Sequence, residues 1–180
     1  MRGHGNCKAV VERCDPDSAA WRATLAHALV ALFGDRTCSK RNVCGSCFGA
    51  EWCDRKGRAD APSWFVADLM RRNTCYAAMD ESGVFLGLAA VSPSNVIFTF
   101  CVAERARGMG AGTAILDRIV QVHGGGRHPL ELTVAAPTRG GEGGEELARR
   151  HGRLVALYES YGFERTGQEG GGYTQMVRRP

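Results

Sequence analysis

Between residues 96 and 120 the hydrophobic pattern of this chain changes period, and the change falls across a run of glycines. Val96-Ile97-Phe98-Thr99-Phe100-Cys101-Val102 is an apolar stretch of strand length. Ala114, Ile115, Leu116, Ile119 and Val120 recur at helical spacing. Between them stands Arg107-Gly108-Met109-Gly110-Ala111-Gly112-Thr113. A buried strand that passes through a glycine-rich turn into a helix makes an anion cradle. Glycine lets the backbone approach a ligand closely and take positive φ. The N–H groups of the first helical turn lack intrahelical partners, and the helix dipole favours negative charge there. The plainer alternative is a tight strand-to-helix turn that binds nothing.

Two common anions are excluded by spacing. A nucleoside-triphosphate loop ends in Gly-Lys-Ser/Thr, and no lysine follows these glycines. A dinucleotide fingerprint needs Gly-x-Gly-x-x-Gly, whereas these glycines fall at 108, 110 and 112.

Arg107-x-x-Gly110-x-Gly112 resembles the Gln/Arg-x-x-Gly-x-Gly/Ala signature of the GNAT superfamily of acyl-CoA N-acyltransferases. Val102, upstream of Arg107, stands where that family ends its fourth strand. Downstream, Ala156-Leu157-Tyr158-Glu159-Ser160-Tyr161-Gly162-Phe163 resembles the family's second hallmark, an A-x-x-L-Y-x-x-x-G-F-like segment. The two segments occur in the family's order, and the resemblance extends from about Cys7 to the C-terminus. It implies an α/β (α+β) GNAT-like fold, with a central, mixed, mostly antiparallel twisted sheet of about seven strands and about four helices. The sheet would be splayed between strands 4 and 5.

The resemblance also implies a chemistry: an amine attacks the thioester carbonyl of acetyl-CoA directly, in a ternary complex. The cofactor must be positioned, the amine deprotonated, the oxyanion stabilised and the leaving thiolate protonated. The cradle, Arg107, Gly108, Met109, Gly110, Ala111, Gly112 and Thr113, would hold the pyrophosphate of coenzyme A. Backbone groups near Cys101 and Val102 would bind the pantetheine arm and polarise the thioester. Arg105 and Arg107 are candidate phosphate partners, Arg105 being equally readable as a solvated surface charge.

Tyr158 takes the motif position where many members of the family hold the general acid, ahead of its neighbour Tyr161. A tyrosine hydroxyl, with a pKa of about 10, stays protonated at neutral pH and can donate to a departing thiolate. The bland reading is a core aromatic on an amphipathic helix. The general base is not legible. Where some members place a glutamate on the fourth strand, this chain has Ser94, Asn95 and Val96. Glu104 and Glu131 are the nearest carboxylates, each also readable as solvent-facing. The family's frequent asparagine early in the last helix is replaced by His151, which reads as a surface histidine or as one near the cofactor.

With 180 residues, 44% of them hydrophobic, the chain is expected to form a single domain over 1–180. Its cysteine-rich stretch, 34–62, and a glycine-rich stretch, 137–150, read as loop insertions, with Glu145 to Tyr161 helical. No apolar run approaches a membrane span. The first residues lack the apolar core of a signal peptide, so the chain reads as cytoplasmic. A net charge of +4 suits a phosphate-bearing ligand and is too small to argue for nucleic acid. Monomer and homodimer stay open.

The remaining segments read as β-α-α-β-β-β-α-β-α-β-β. Lys8–Arg13 is a strand. Asp15-Pro16-Asp17-Ser18 starts a helix carrying Trp21, Leu25, Leu29, Leu32 and Phe33. Ser63 caps a second helix with Trp64, Phe65, Val66, Leu69 and Met70. Cys75–Met79 and Val84–Val91 are strands around an Asp80–Gly83 turn. Glycines 124–126 stop the cradle helix. Leu130–Val134, Phe163–Thr166 and Tyr173–Val177 are the last strands.

Eight cysteines are many for such a chain, and four cluster as Cys38-x5-Cys44-x2-Cys47-x5-Cys53. Four thiolates could close a structural zinc site, although a zinc ribbon has two Cys-x-x-Cys pairs and here there is one. Free thiols or disulfides are the alternatives. Cys7, Cys14, Cys75 and Cys101 lie on expected strands and read as small buried hydrophobes. Glu51, Asp54 and Asp60 could draw a cationic amine and Trp52 and Trp64 could wall its site, but Arg55, Lys56 and Arg58 cancel the acidic character. A small-molecule amine is the first expectation for the acceptor and a peptide or protein amine the second. An acyl-CoA sensor without turnover, and a zinc-organised interaction protein on the same fold, are readings from other classes.

Overall fold

The computed structural model describes residues 9–33, 63–135, 144–170 and 173–180. The elements are β1 Val10–Arg13, α1 Ala19–Phe33, α2 Ser63–Arg72, β2 Thr74–Met79, β3 Phe85–Val91 and β4 Val96–Val102. A 3-10 turn, Glu104–Ala106, precedes α3 Ala111–His123, β5 Leu130–Ala135, α4 Gly144–Ser160, β6 Glu164–Gly170 and β7 Tyr173–Arg178. The strands hydrogen-bond in the order β1-β2-β3-β4-β5-β7-β6. β4 and β5 run parallel, and the pairs β1–β2, β2–β3, β5–β7 and β6–β7 run antiparallel. This is the mixed, mostly antiparallel sheet expected from the sequence. The parallel pairing has two rungs among the described residues, Val96↔Glu131 and Ile97↔Leu132, although both strands continue beyond them. Residues 144–150, within the glycine-rich stretch, are the first turns of α4. No helix among the described residues is long and apolar enough to cross a membrane.

Contacts divide the chain into two compact units, Met1–Pro93 with Phe98–Ile119, and Ser94–Ile97 with Val120–Pro180. In the first, α1 starts where the Asp15–Ser18 signal places it. Ser18 Oγ accepts the Trp21 N–H at 3.3 Å, and Asp15 Oδ1 accepts the Asp17 N–H at 3.0 Å. Leu25 of α1 and Val66, Leu69 and Met70 of α2 share one cluster with Cys14, Cys75, Ala77, Leu88 and Ala90. Cys75 and Ala77 of β2 face that cluster, and strand alternation turns Tyr76 and Ala78 the other way. They too are buried. A strand covered on both faces reads as an unbroken apolar run, which is what β2 and β3 are. The β2–β3 turn is closed by Asp80, whose Oδ1 accepts from Ser82 Oγ at 2.6 Å and from the Ser82 and Val84 amides at 2.9 Å each. The Ser82 hydroxyl leads the interactions that hold this carboxyl below its ordinary range.

In the second unit, Leu130, Leu132 and Val134 of β5 and Thr174 and Met176 of β7 are buried, as are Val155 and Tyr158 of α4. Asn95, at φ +66°, ties the start of β4 to the segment after α3. Its Nδ2 donates to the His123 and His128 carbonyls at 3.3 and 3.1 Å, while its Oδ1 lies 3.1 Å from His123 Nδ1. Arg178 of β7 meets the ends of two helices. Its Nη1 donates to the Gly124 carbonyl just past α3, and its Nε donates to the Tyr161 carbonyl just past α4 at 2.9 Å. A cation belongs there, because helix C-termini present unpaired carbonyls and the negative end of the dipole.

This packing has two measurable consequences. Arg178→Ala strips both helix ends of a charged donor and is expected to lower unfolding free energy by about 2–3 kcal/mol in denaturant titration. Burial pushes the Cys14 and Cys75 thiols up from 9.0 to about 12. The folded chain therefore keeps protons that the unfolded chain releases. The stability these thiols contribute is complete below pH 9.0 and is lost as pH rises toward about 12. Denaturation midpoints across that range are expected to fall less in Cys14→Ala than in the parent chain.

Candidate functional site

β4 ends at Val102, and four structural steps lead to α3, all in the first unit. The Ala103 amide donates to the Leu86 carbonyl of β3 at 2.9 Å. The 3-10 turn closes with the Ala106 amide on the Ala103 carbonyl at 2.9 Å. The Met109 amide reaches the Ala106 carbonyl at 3.2 Å, and the Ala114 amide takes the Gly110 carbonyl at 2.9 Å to open α3. Gly108 and Gly110 sit at φ +77° and +87°, where a side chain is strained. A Cβ on either would meet no atom within 4 Å among the described residues, so both face open space. Gly112 has a different task. A Cβ there would stand 3.3 Å from Val102 Cγ2 and 3.7 Å from the Phe100 ring, so glycine lets the first turn of α3 settle onto β4. The result is the start of a 13-residue helix whose leading amides follow an open, glycine-lined turn, the geometry that accepts phosphate.

The expected site residues divide between the two units. Cys101, Val102, Glu104, Arg105, Arg107, Gly108, Met109, Gly110, Ala111, Gly112 and Thr113 are brought together in the first. Cys101 is half-buried rather than the buried hydrophobe expected, whereas Cys14 and Cys75 are buried. Glu104 opens the 3-10 turn, and its side chain lies outside those described. Arg107 is exposed. Arg105 is also exposed, but its Nη2 donates to the Phe85 carbonyl at 2.7 Å, so it braces β3 against the turn. No local pattern signals that bond, because its acceptor lies on another strand. Gly87 escapes sequence reasoning for the same reason: a Cβ there would fall 2.8 Å from the Cys101 carbonyl oxygen.

Tyr158 belongs to the second unit, near the end of α4 and 6% exposed. The helix closes on it. The Phe163 amide donates to the Tyr158 carbonyl at 3.1 Å and the Gly162 amide to the Glu159 carbonyl at 2.9 Å, with Gly162 at φ +82°. These are the two bonds of a Schellman cap with its left-handed glycine. The Tyr158 and Phe163 rings, 5.9 Å apart at 69°, supply the apolar contact that accompanies such a cap. His151, two turns earlier on the same helix, is half-buried, with its Nε2 3.3 Å from Thr174 Oγ1. Tyr161 lends its carbonyl to Arg178. Glu131 alternates away from buried Leu130 and Leu132, onto the other face of β5, where it lines a shallow groove with Gln175, Val177 and Arg179. Cys38, Cys44, Cys47 and Cys53 lie outside the described residues, as do Cys7, Glu51, Trp52, Asp54 and Asp60. Among the described residues no three His, Cys, Asp or Glu side chains gather as metal ligands would.

No curated protein sequence matches the chain. Many solved structures share its fold, among them the following three. A protein of Corynebacterium glutamicum described as histone acetyltransferase HPA2 and related acetyltransferase is 16% identical over 96% of both chains, with a TM-score of 0.60. An aminoglycoside 6'-N-acetyltransferase complexed with coenzyme A is 12% identical over 93% of this chain and 94% of its own, TM-score 0.58. A putative GNAT-family acetyltransferase of Desulfovibrio desulfuricans is 17% identical over 94% and 96%, TM-score 0.55. The family model for the acetyltransferase (GNAT) family matches residues 40–139, which contain β4, the cradle and the whole of α3. Since that match spans more than half of its 180 residues, the chain belongs to the GNAT family of acetyltransferases.

Proposed function

We propose that this protein is a single-domain, acetyl-CoA-dependent N-acetyltransferase that passes an acetyl group directly to a primary amine, and that the amine belongs to a small molecule. The observation that carries the reading is the turn between β4 and α3. Two positive-φ glycines open onto solvent immediately before the first turn of a long helix. That backbone suits a pyrophosphate, whose charge is met by amides and the helix dipole without a lysine.

In this reading the amides from Gly108 to Thr113 hold the cofactor's pyrophosphate, and Arg107 adds a charge. The backbone of Cys101 and Val102 binds the pantetheine arm and polarises the thioester carbonyl. Acetyl-CoA supplies the activated acyl group. The amine nitrogen would form its bond to the acetyl carbonyl carbon as the carbon–sulfur bond breaks, releasing coenzyme A as the thiolate and the proton of the nitrogen to solvent, from which Tyr158 is later reprotonated. Tyr158 donates the proton that the thiolate takes up. The cap formed with Gly162 and Phe163 and the contact between the two rings hold its side chain, which lowers the rotational freedom the residue has to lose. The acceptor is the least constrained part. Relatives in fold carry descriptions as different as aminoglycoside and histone acetyltransferase. We place a small amine first because of the charge balance over residues 51–60, the stretch expected to wall the acceptor site. Glu51, Asp54 and Asp60 are offset there by Arg55, Lys56 and Arg58, which leaves no acidic field to hold a lysine-rich peptide.

The first test is acetyl-CoA turnover against polyamines, aminoglycosides, amino acids and short lysine peptides, read by mass spectrometry of the products. One acetylated small amine is expected. An acetylated peptide alone would move the acceptor class, and no product with any amine would leave cofactor binding without transfer. Two variants divide the roles. Gly110→Val puts a branched side chain at φ +87°, and acetyl-CoA affinity is expected to fall below detection in calorimetry. Tyr158→Phe keeps the ring contact and removes only the hydroxyl. It is expected to lower kcat by about 10²-fold, in the range for loss of a general acid, and to leave acetyl-CoA affinity unchanged.

A further inference from the structure

Three consecutive residues of β3 grip the segment that leaves β4. The Phe85 carbonyl accepts Arg105 Nη2 at 2.7 Å, and the Leu86 carbonyl accepts the Ala103 amide at 2.9 Å. Gly87 makes the closest approach. A Cβ on it would lie 2.8 Å from the Cys101 carbonyl oxygen, 3.0 Å from Ile115 Cδ1 of α3 and 3.4 Å from Val102 Cα. No Cβ is found at 2.8 Å from a backbone oxygen without something moving, and here the nearest obstacle is the main chain of β4, with a side-chain tip from the cradle helix next to it. The β2–β3 register breaks at this point. Ala78 pairs with Gly87 while Met79 pairs with Phe85, so Leu86 is an extra residue on β3. A bulge of this kind bends its strand and re-aims the neighbouring backbone, and glycine within a strand marks such close approaches.

We infer that the Phe85–Gly87 bulge is the device that sets the position of the Cys101–Arg105 backbone, and that Gly87 is a positioning residue for acetyl-CoA binding although no part of it need touch the cofactor. The inference rests on the proposed role of Cys101, Val102 and the turn after them in holding acetyl-CoA. It goes further in naming a residue on a different strand, outside both sequence signatures, as a determinant of affinity. The bulge contributes two carbonyl acceptors and one missing side chain, and each acts on a different point of the path from β4 to α3. A methyl group at 87 would push against Cys101 and Ile115 together. The Ile115 tip can rotate aside, but the Cys101 carbonyl is main chain and can yield only if the end of β4 shifts.

The test compares Gly87→Ala with Gly83→Ala by calorimetry with acetyl-CoA, at a temperature where circular dichroism shows both folded. Gly83 lies in the preceding hairpin at φ +80° with open space around it, so alanine there strains the fold without touching β4. Gly87→Ala is expected to weaken acetyl-CoA binding by about tenfold or more, the scale set by small misplacements of a binding group. Gly83→Ala is expected to bind as the parent does, even where its melting temperature falls equally. Parent-like affinity in Gly87→Ala, or equal losses in both variants, overturns the inference and leaves the functional reading standing. Absence of binding by the parent chain overturns the functional reading and this inference with it. Should Gly87→Ala fail to fold, hydrogen exchange of the parent takes its place. The Ala103 amide, bonded to Leu86, is expected to exchange several-fold more slowly once acetyl-CoA is added, and an unchanged rate overturns the inference.

Discussion

The backbone at Gly108 and Gly110 runs at φ +77° and +87°, and the first unit downstream of β4 depends on the chain adopting those angles without strain. A residue with a Cβ in the left-handed region costs roughly 1–2 kcal/mol. Two such costs would fall on one short turn. With glycine the chain reverses cheaply, and α3 begins at Ala111 with its first amides beside an open surface. The third glycine solves a separate problem. Gly112 is already helical, and its missing side chain is what allows α3 to lie against Val102 and Phe100. The three glycines therefore do two jobs, turning and packing, and only the turning pair faces outward. This division accounts for a glycine spacing that departs from a dinucleotide fingerprint while the start of α3 stays open.

Helix ends organise the second unit as well. Residues just past α3 and α4 offer carbonyls to one guanidinium, Arg178, and α4 closes on a Schellman cap. At Gly124 a Cβ would collide with Arg178 and with the Val120 carbonyl, so the glycine that stops α3 also admits the cation that satisfies it. Asn95 completes the arrangement from a distant point of the chain, bonding the His123 and His128 carbonyls. Buried or half-buried carbonyls without partners cost about as much as a lost hydrogen bond each. Two side chains, neither in a recognisable sequence signature, meet three of these carbonyls between them, at Gly124, Tyr161 and His123, and Asn95 adds the exposed His128 carbonyl.

That contrast measures how much is legible in the sequence. β4 is legible to the residue, Val96 to Val102, because one dominant apolar run is bounded by turn residues. α3 is legible at its C-terminal end, where glycines stop it, but it begins at Ala111, inside the run that reads as the turn, because Gly112 serves packing onto β4 rather than turning. β6 reads as ending at Thr166 and continues to Gly170, because its sequence has no apolar period and only pairing with β7 defines it. Arg178, Asn95 and Gly87 are not legible as structural residues. Their partners lie 54, 28 and 14 positions away in the chain, beyond the reach of any local period. The candidate site shows the same limit. The cradle is local and is read from its glycines, while the brace from Arg105 to β3 is not local, so Arg105 reads as a phosphate contact or a surface charge.

The A-x-x-L-Y-x-x-x-G-F-like segment is shaped by helix termination as much as by chemistry. Its glycine is needed at φ +82°, its phenylalanine donates the cap's long bond, and its tyrosine supplies the apolar partner. Three of its defining residues are thus accounted for by ending a helix, before any chemistry is invoked. One atom is not. The ring contact between residues 158 and 163 uses the face and edge of two aromatic rings, and phenylalanine at 158 would serve it equally. A cap alone gives no reason for a hydroxyl at that position. The two backbone bonds of the cap and the ring contact therefore do not use the oxygen of Tyr158, and a phenylalanine there isolates what the hydroxyl does from what the ring does.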